Sequence, residues 1–161
     1  TRGLLVDAGV LVPLVALLHS GNDAPKEAAS RALCKLAVDD ALRQWIALSG
    51  AIPPLVALLK KGNDMQKEIA SATLSNLSVN DINKERIAVT GGILPLAALL
   101  RGGSPEQQKN AAEALQNVVL VSANREKVSE AGVIPLMTAL VHVGTEWQEE
   151  KASRVLWNLV T

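Results

Sequence analysis

Ile69-Ala-Ser-Ala-Thr-Leu-Ser-Asn-Leu77 decides the fold, because a shift of 41 residues in either direction lands on the same pattern. Forward it becomes Asn110-Ala-Ala-Glu-Ala-Leu-Gln-Asn-Val118 and then Lys151-Ala-Ser-Arg-Val-Leu-Trp-Asn-Leu159; backward it becomes Ala28-Ala-Ser-Arg-Ala-Leu-Cys-Lys-Leu36. Leu33, Leu74, Leu115 and Leu156 stand in register. A fixed period of this length is the signature of stacked supersecondary units that share a continuous core. The period divides the chain into units of about 1–39, 40–80, 81–121 and 122–161, the first with a shortened opening helix.

Composition narrows what such an array does. Lysine plus arginine number 16 and aspartate plus glutamate 16, so no basic excess draws the chain to phosphate backbones or anionic lipid, and nucleic acid is not expected as a partner. Hydrophobic residues are 48% of the chain but aromatics only 2%, which leaves Leu, Ile, Val and Ala to build the core. Small and branched aliphatic side chains suit helices that approach closely. No apolar run reaches the roughly eighteen residues of a membrane span, so insertion into a membrane is not expected either. The lone Cys34 forms no internal disulfide and is compatible with a reducing compartment, so an intracellular, cytoplasmic or nuclear setting is the expectation.

Each unit reads as three helices. Short ones are expected over 40–49, 81–90 and 122–131, capped by Asp40, Asp81 and Ser122, with Thr1 to Ala8 as the remnant of a fourth. Gly9, Gly50, Gly91 and Gly132 are expected to stop them in a left-handed turn. Second helices follow at 11–18, 52–59, 93–100 and 134–141, opened by Pro13, Pro53 with Pro54, Pro95 and Pro135, and stopped at Gly21, Gly62, Gly103 and Gly144. His19 and His142 stand just before two of these stops, where a cation complements the helix dipole, and need no chemistry. Third helices start at Asn22, Asn63, Ser104 and Thr145; Gln66, Gln107 and Gln148 complete a reciprocal cap in three copies, while Pro25 takes that place in the first.

Three helices per unit of about forty residues, with a Gly-Ala-Ile-Pro-Pro-Leu-Val second helix and a third ending Ala-Leu-x-Asn-Leu, resemble the armadillo repeat over essentially the whole chain. The resemblance implies an all-α, right-handed superhelical solenoid of armadillo repeats whose third helices line a concave groove. It also implies a non-enzymatic protein-protein interaction module without cofactor or metal, binding an extended peptide or partner segment. In this family an asparagine near the end of the third helix holds a peptide backbone. Asn76, Asn117 and Asn158 match that position, and Lys35 replaces it in the first unit. A carboxamide can pair a backbone N–H and C=O together, whatever the side chains. The same residues could instead cap helices or tie adjacent repeats together.

Importin-alpha relatives carry a tryptophan one turn before that asparagine as a slot for lysine stems. Here the position holds Arg31, Ala72, Glu113 and Arg154, so recognition of a basic localisation signal is not expected. The groove is instead graded: Arg31 and Lys35 at one end, Ala72 and Ser75 next, then Glu113 with Gln116, and Arg154 beside Trp157. Such a surface suits an extended ligand with acidic residues near one end, or is simply a solvated face. Trp157 is a candidate anchor of the kind enriched in binding hot spots, whereas Trp45 and Trp147 are assigned no role.

No histidine, cysteine or acid set is brought together by the period, and every glycine in register has a structural reading, so catalysis and metal binding are not expected. The alternative to a groove is a scaffold segment that engages folded partners through its convex faces or stacking ends. The final Val155-Leu-Trp-Asn-Leu-Val-Thr161 keeps a core-forming pattern to the last residue, so a fragment of a longer array, with end-to-end self-association, is expected.

Overall fold

The computed structural model describes residues 4–161, with side chains from residue 9 onward. The described residues form eleven helices and no strand: α1 (Leu4–Leu18), α2 (Asp23–Leu36), α3 (Asp40–Leu48), α4 (Ile52–Lys61), α5 (Asp64–Leu77), α6 (Asp81–Val89), α7 (Ile93–Gly102), α8 (Pro105–Val118), α9 (Ser122–Glu130), α10 (Val133–Val143) and α11 (Glu146–Val160). Three full units, α3–α5, α6–α8 and α9–α11, follow a two-helix opening, α1–α2.

The third helices α2, α5, α8 and α11 pack on one another in sequence, and each also packs on the second helix of its own unit. Leu33, Leu74 and Leu115 lie at the centre of these layers and are fully buried. Ala29, Ala70, Ala111 and Ala152, also 41 apart, are buried where a larger side chain would force the helices apart. The short helices cross the stack: α3 touches α1, α5 and α6, and α6 touches α8 and α9.

Two kinds of glycine shape each unit. Gly50, Gly91 and Gly132 have φ of 85°, 87° and 78°, the left-handed conformation in which a Cβ is penalised, and the turn at Gly50 sets α3 and α4 at 82° to each other. Gly62, Gly103 and Gly144 are in extended backbone; a Cβ there would overlap the carbonyl of Leu58, Leu99 or Leu140 and the Cβ of Gln66, Gln107 or Gln148. Glycine at this second set keeps the end of one helix tight against the cap of the next.

The first unit departs from expectation. α1 runs through Gly9 without a left-handed turn, and Pro13 lies inside the helix instead of opening it. Glycine permits the left-handed turn without requiring it, and continuing the helix keeps the backbone groups around Gly9 paired. α1 also ends at Leu18, and Gly21 has open space where a Cβ would stand.

The caps of the short helices shift by one residue. Asp39 and Asn80, not Asp40 and Asp81, are the N-caps, accepting from the N–H of Ala41 at 2.8 Å and of Asn83 at 3.2 Å. Val121 takes that place before Ser122 and cannot cap. The displaced acids turn to cations three residues on: Asp40 pairs with Arg43, and Asp81 with Lys84 at 2.7 Å. The Lys84 hydrogen bond, with its charge, holds the Asp81 carboxyl below its ordinary 3.8. The reciprocal caps Asn63 with Gln66, Ser104 with Gln107 and Thr145 with Gln148 are all formed.

Candidate functional site

The exposed side of the stacked third helices carries the candidate residues. α2 presents Arg31 and Lys35 to solvent, α5 presents Ala72 and Asn76, α8 presents Glu113, Gln116 and Asn117, and α11 presents Arg154, Trp157 and Asn158. These positions recur because one face of a helix repeats every three to four residues and each unit repeats the helix in register. A hollow of about 390 Å³ opens on this face, lined by Arg31, Cys34 and Lys35 from α2, Met65, Glu68, Ile69 and Ala72 from α5, and Glu106 and Asn110 from α8.

The asparagines do part of their hydrogen bonding within the protein. Asn76 Nδ2 donates to the Cys34 carbonyl at 3.3 Å, and Asn117 Nδ2 donates to Ser78 Oγ at 3.0 Å, in both cases to the preceding unit. Their Oδ1 atoms accept from no described residue. Asn158 is half-buried and makes no side-chain hydrogen bond with the described residues. One amide hydrogen thus ties units together at two of the three rungs, while the carboxamide oxygens stay available on the groove.

The charges are unevenly engaged. Arg154 pairs with Glu150 at 2.9 Å along its own helix, and the half-buried Glu113 accepts from Ser75 Oγ at 3.3 Å. Arg31 and Lys35 form no ion pair with a described residue. Trp157 is 68% exposed, whereas Trp147 packs into the core edge with Leu100, Met137 and Leu140 beside Lys151, whose Nζ lies 5.9 Å from its ring centre. Trp45 is partly exposed on α3, away from this face.

Two polar features escaped the sequence reading. Asn83 and Asn124, both buried, each bridge two carbonyls with one Nδ2: Asn83 reaches Arg43 and Leu77, both at 3.1 Å, and Asn124 reaches Lys84 at 3.2 Å and Val118 at 3.0 Å. The capping glutamines also reach back a full unit, Gln66 Nε2 to Asp23 Oδ1 at 2.8 Å and Gln107 Nε2 to the Asp64 carbonyl at 2.9 Å. The 41-residue spacing of Asn83 and Asn124 was the available signal, but Leu42 in the same register reads as a plain core position.

A second hollow, of about 460 Å³, lies between α6 and the turn from α3 into α4, and is lined by Ile52 and Pro53 of α4 and by Ile82, Glu85, Arg86 and Val89 of α6. Its counterpart one unit on replaces Val89 with Glu130 and holds Lys127. Among the described residues no three His, Cys, Asp or Glu side chains converge as a metal site would require, and no single helix is long and apolar enough to cross a membrane.

The armadillo/beta-catenin-like repeat family model matches residues 39–79. No curated protein matches the chain. Among solved structures, a designed armadillo repeat protein in complex with the peptide (KR)4 superposes with a TM-score of 0.85 at 27% identity, covering 96% of this chain and 66% of that one. Computationally designed armadillo repeat proteins for modular peptide recognition match with a TM-score of 0.86 at 29% identity, over 96% of this chain and 66% of theirs. A further engineered protein gives 0.89 at 29% identity, over 97% of this chain and 39% of its own. The chain therefore spans less than two thirds of the length of the structures it matches.

Proposed function

Because the chain is an array of armadillo repeats, we propose that it is a non-enzymatic binding module that holds an extended peptide or partner segment along the face of its third helices. The observation that carries this reading is the ladder Asn76, Asn117 and Asn158, set one unit apart on successive third helices with carboxamide oxygens that no described residue uses; the hollow over α2, α5 and α8 opens on the same helices but is lined by none of the three. An extended chain presents a backbone N–H to such an oxygen at a regular interval, and a ladder grips it without reading its side chains. That two structural neighbours bind or were designed to recognise peptides supports the reading.

Selection of a peptide library on the wild-type chain and on an Asn76→Ala/Asn117→Ala/Asn158→Ala variant tests it. Each asparagine is worth about 0.5–1.5 kcal/mol, so the triple variant binds the selected peptides at least about tenfold more weakly. Since Asn76 and Asn117 also tie units together, Asn158→Ala alone is the cleaner variant, losing about two- to tenfold at unchanged helicity. Peptides bound equally by wild type and both variants would overturn the groove.

One observation favours a second surface, for a folded partner. The hollow beside α6 is walled by Ile82 and Val89, both exposed, where the following unit has Ala123 and Glu130. Self-association fits a different region: Trp157 and Val160 on α11 and Val143 on α10 are exposed apolar side chains, with no layer against them among the described residues. A sedimentation coefficient that stays constant with rising concentration would remove that contact.

A further inference from the structure

The hollow over α2, α5 and α8 sorts its charges by helix. On α2, Arg31 and Lys35 stand one turn apart, exposed, and neither pairs with a described carboxylate. Glu27, one turn before Arg31, instead accepts from Asn63 Nδ2 at 3.3 Å, which leaves the two cations to the groove. On α5 the floor is mainly apolar, with Met65, Ile69 and Ala72, and carries one carboxylate, Glu68. On the far side stands Glu106 of α8, and further along that helix the half-buried Glu113.

Resting on the peptide-binding reading above, we propose that this groove selects an extended segment whose side chains run acidic, apolar, basic: a carboxylate over Arg31 and Lys35, an aliphatic side chain on Met65, Ile69 and Ala72, and a lysine or arginine toward Glu106 and Glu113. Packed helices lie about 8–10 Å apart and an extended chain rises about 3.3 Å per residue, so the three side chains fall about three residues apart. An aliphatic side chain seated on Met65, Ile69 and Ala72 fixes the register of the segment, so that each charged end meets its own helix, and Glu68 on α5 adds to the negative side of the hollow. Arg31 can donate two parallel hydrogen bonds to a carboxylate, and Lys35 adds a second charge one turn away. A carboxylate fits better than a phosphate because Glu68 and Glu106 line the same hollow and would repel a dianion more strongly. A uniformly basic peptide places cations against Arg31 and Lys35 and is selected against.

The test uses the whole chain and three fluorescent peptides in anisotropy titrations at low salt. One is charge-sorted, Glu-Glu-Ser-Leu-Ser-Lys-Lys; one has the same composition with charges mixed at both ends, Lys-Glu-Ser-Leu-Ser-Glu-Lys; one is alternating Lys-Arg. The sorted peptide binds about tenfold tighter than the mixed one and tighter still than the basic one, and the advantage fades in molar salt. Arg31→Glu/Lys35→Glu, both at exposed positions and checked for unchanged helicity, abolishes the preference for the sorted peptide. Equal affinity for sorted and mixed peptides, or a preference that survives the double charge reversal, would overturn the charge-order proposal. If Asn117→Ala, checked for unchanged helicity, still weakens both peptides in that case, the groove stands without its charge code; if no peptide binds, both readings fall.

Discussion

At the scale of single residues, the polar side chains between units carry as much specification as the core. Asn83 and Asn124 each tie two backbone segments of neighbouring units together by sharing one Nδ2 between two carbonyls. The Leu77 and Val118 carbonyls also accept from the N–H of Asn80 and Val121, so replacement by alanine strands neither and removes only the inter-unit bond; we expect each to cost about 0.5–1.5 kcal/mol, read as a fall in the urea midpoint at unchanged slope. Asn158→Ala breaks no described bond and should change stability by no more than about 0.5 kcal/mol. The Asp81 carboxyl gives a second residue-level check. Its depressed pKa means that the pairing with Lys84 contributes above the ordinary 3.8 and is lost as pH falls through the folded value. In an NMR titration the Asp81 midpoint lies below 3.8, and Lys84→Met raises it; a midpoint unmoved by that change would remove Lys84 as the cause.

At the scale of elements, the third helices show what the sequence made legible and what it hid. Leu74 is fully enclosed by α2, α4 and α8, whereas its register mate Leu156, on α11, is half-buried, with no further layer over it among the described residues. Leu74→Ala is expected to cost about 2–5 kcal/mol and Leu156→Ala clearly less; equal losses would mean that the layers do not share burial as described. The periodicity announced these leucines, the reciprocal caps and the left-handed glycines, because each rests on local chemistry repeated 41 residues apart. It misplaced the short-helix caps by one residue, since Asp39 and Asp40 both carry the capping chemistry and only backbone conformation decides between them. It split α1 at Gly9, because glycine permits a turn without requiring one. It took the crowding at Gly62, Gly103 and Gly144 for plain helix stops, although the leucine carbonyl four residues back, which a Cβ would overlap, together with the following capping glutamine, is what demands glycine.

At the scale of the whole molecule, stacking converts a one-dimensional repeat into one continuous surface, so function depends on what is repeated and what is varied along it. Asparagine is repeated in three units, while the position one turn earlier varies from Arg31 to Ala72 to Glu113 to Arg154. The repeated part was readable as a motif. The availability of its carboxamide oxygens was not, since that depends on Cys34 and Ser78 of the preceding unit taking up the amide hydrogens. Cys34 offers the most direct test of where a ligand lies, because this single thiol lines the groove beside Arg31 and Lys35 and is not among the residues that line the hollow beside α6. The measurement is the rate of iodoacetamide alkylation of Cys34 with and without a saturating selected peptide. The groove reading predicts that bound peptide slows alkylation several-fold and that Asn158→Ala raises the peptide concentration needed for protection; an unchanged rate at full occupancy would place the ligand elsewhere and contradict it.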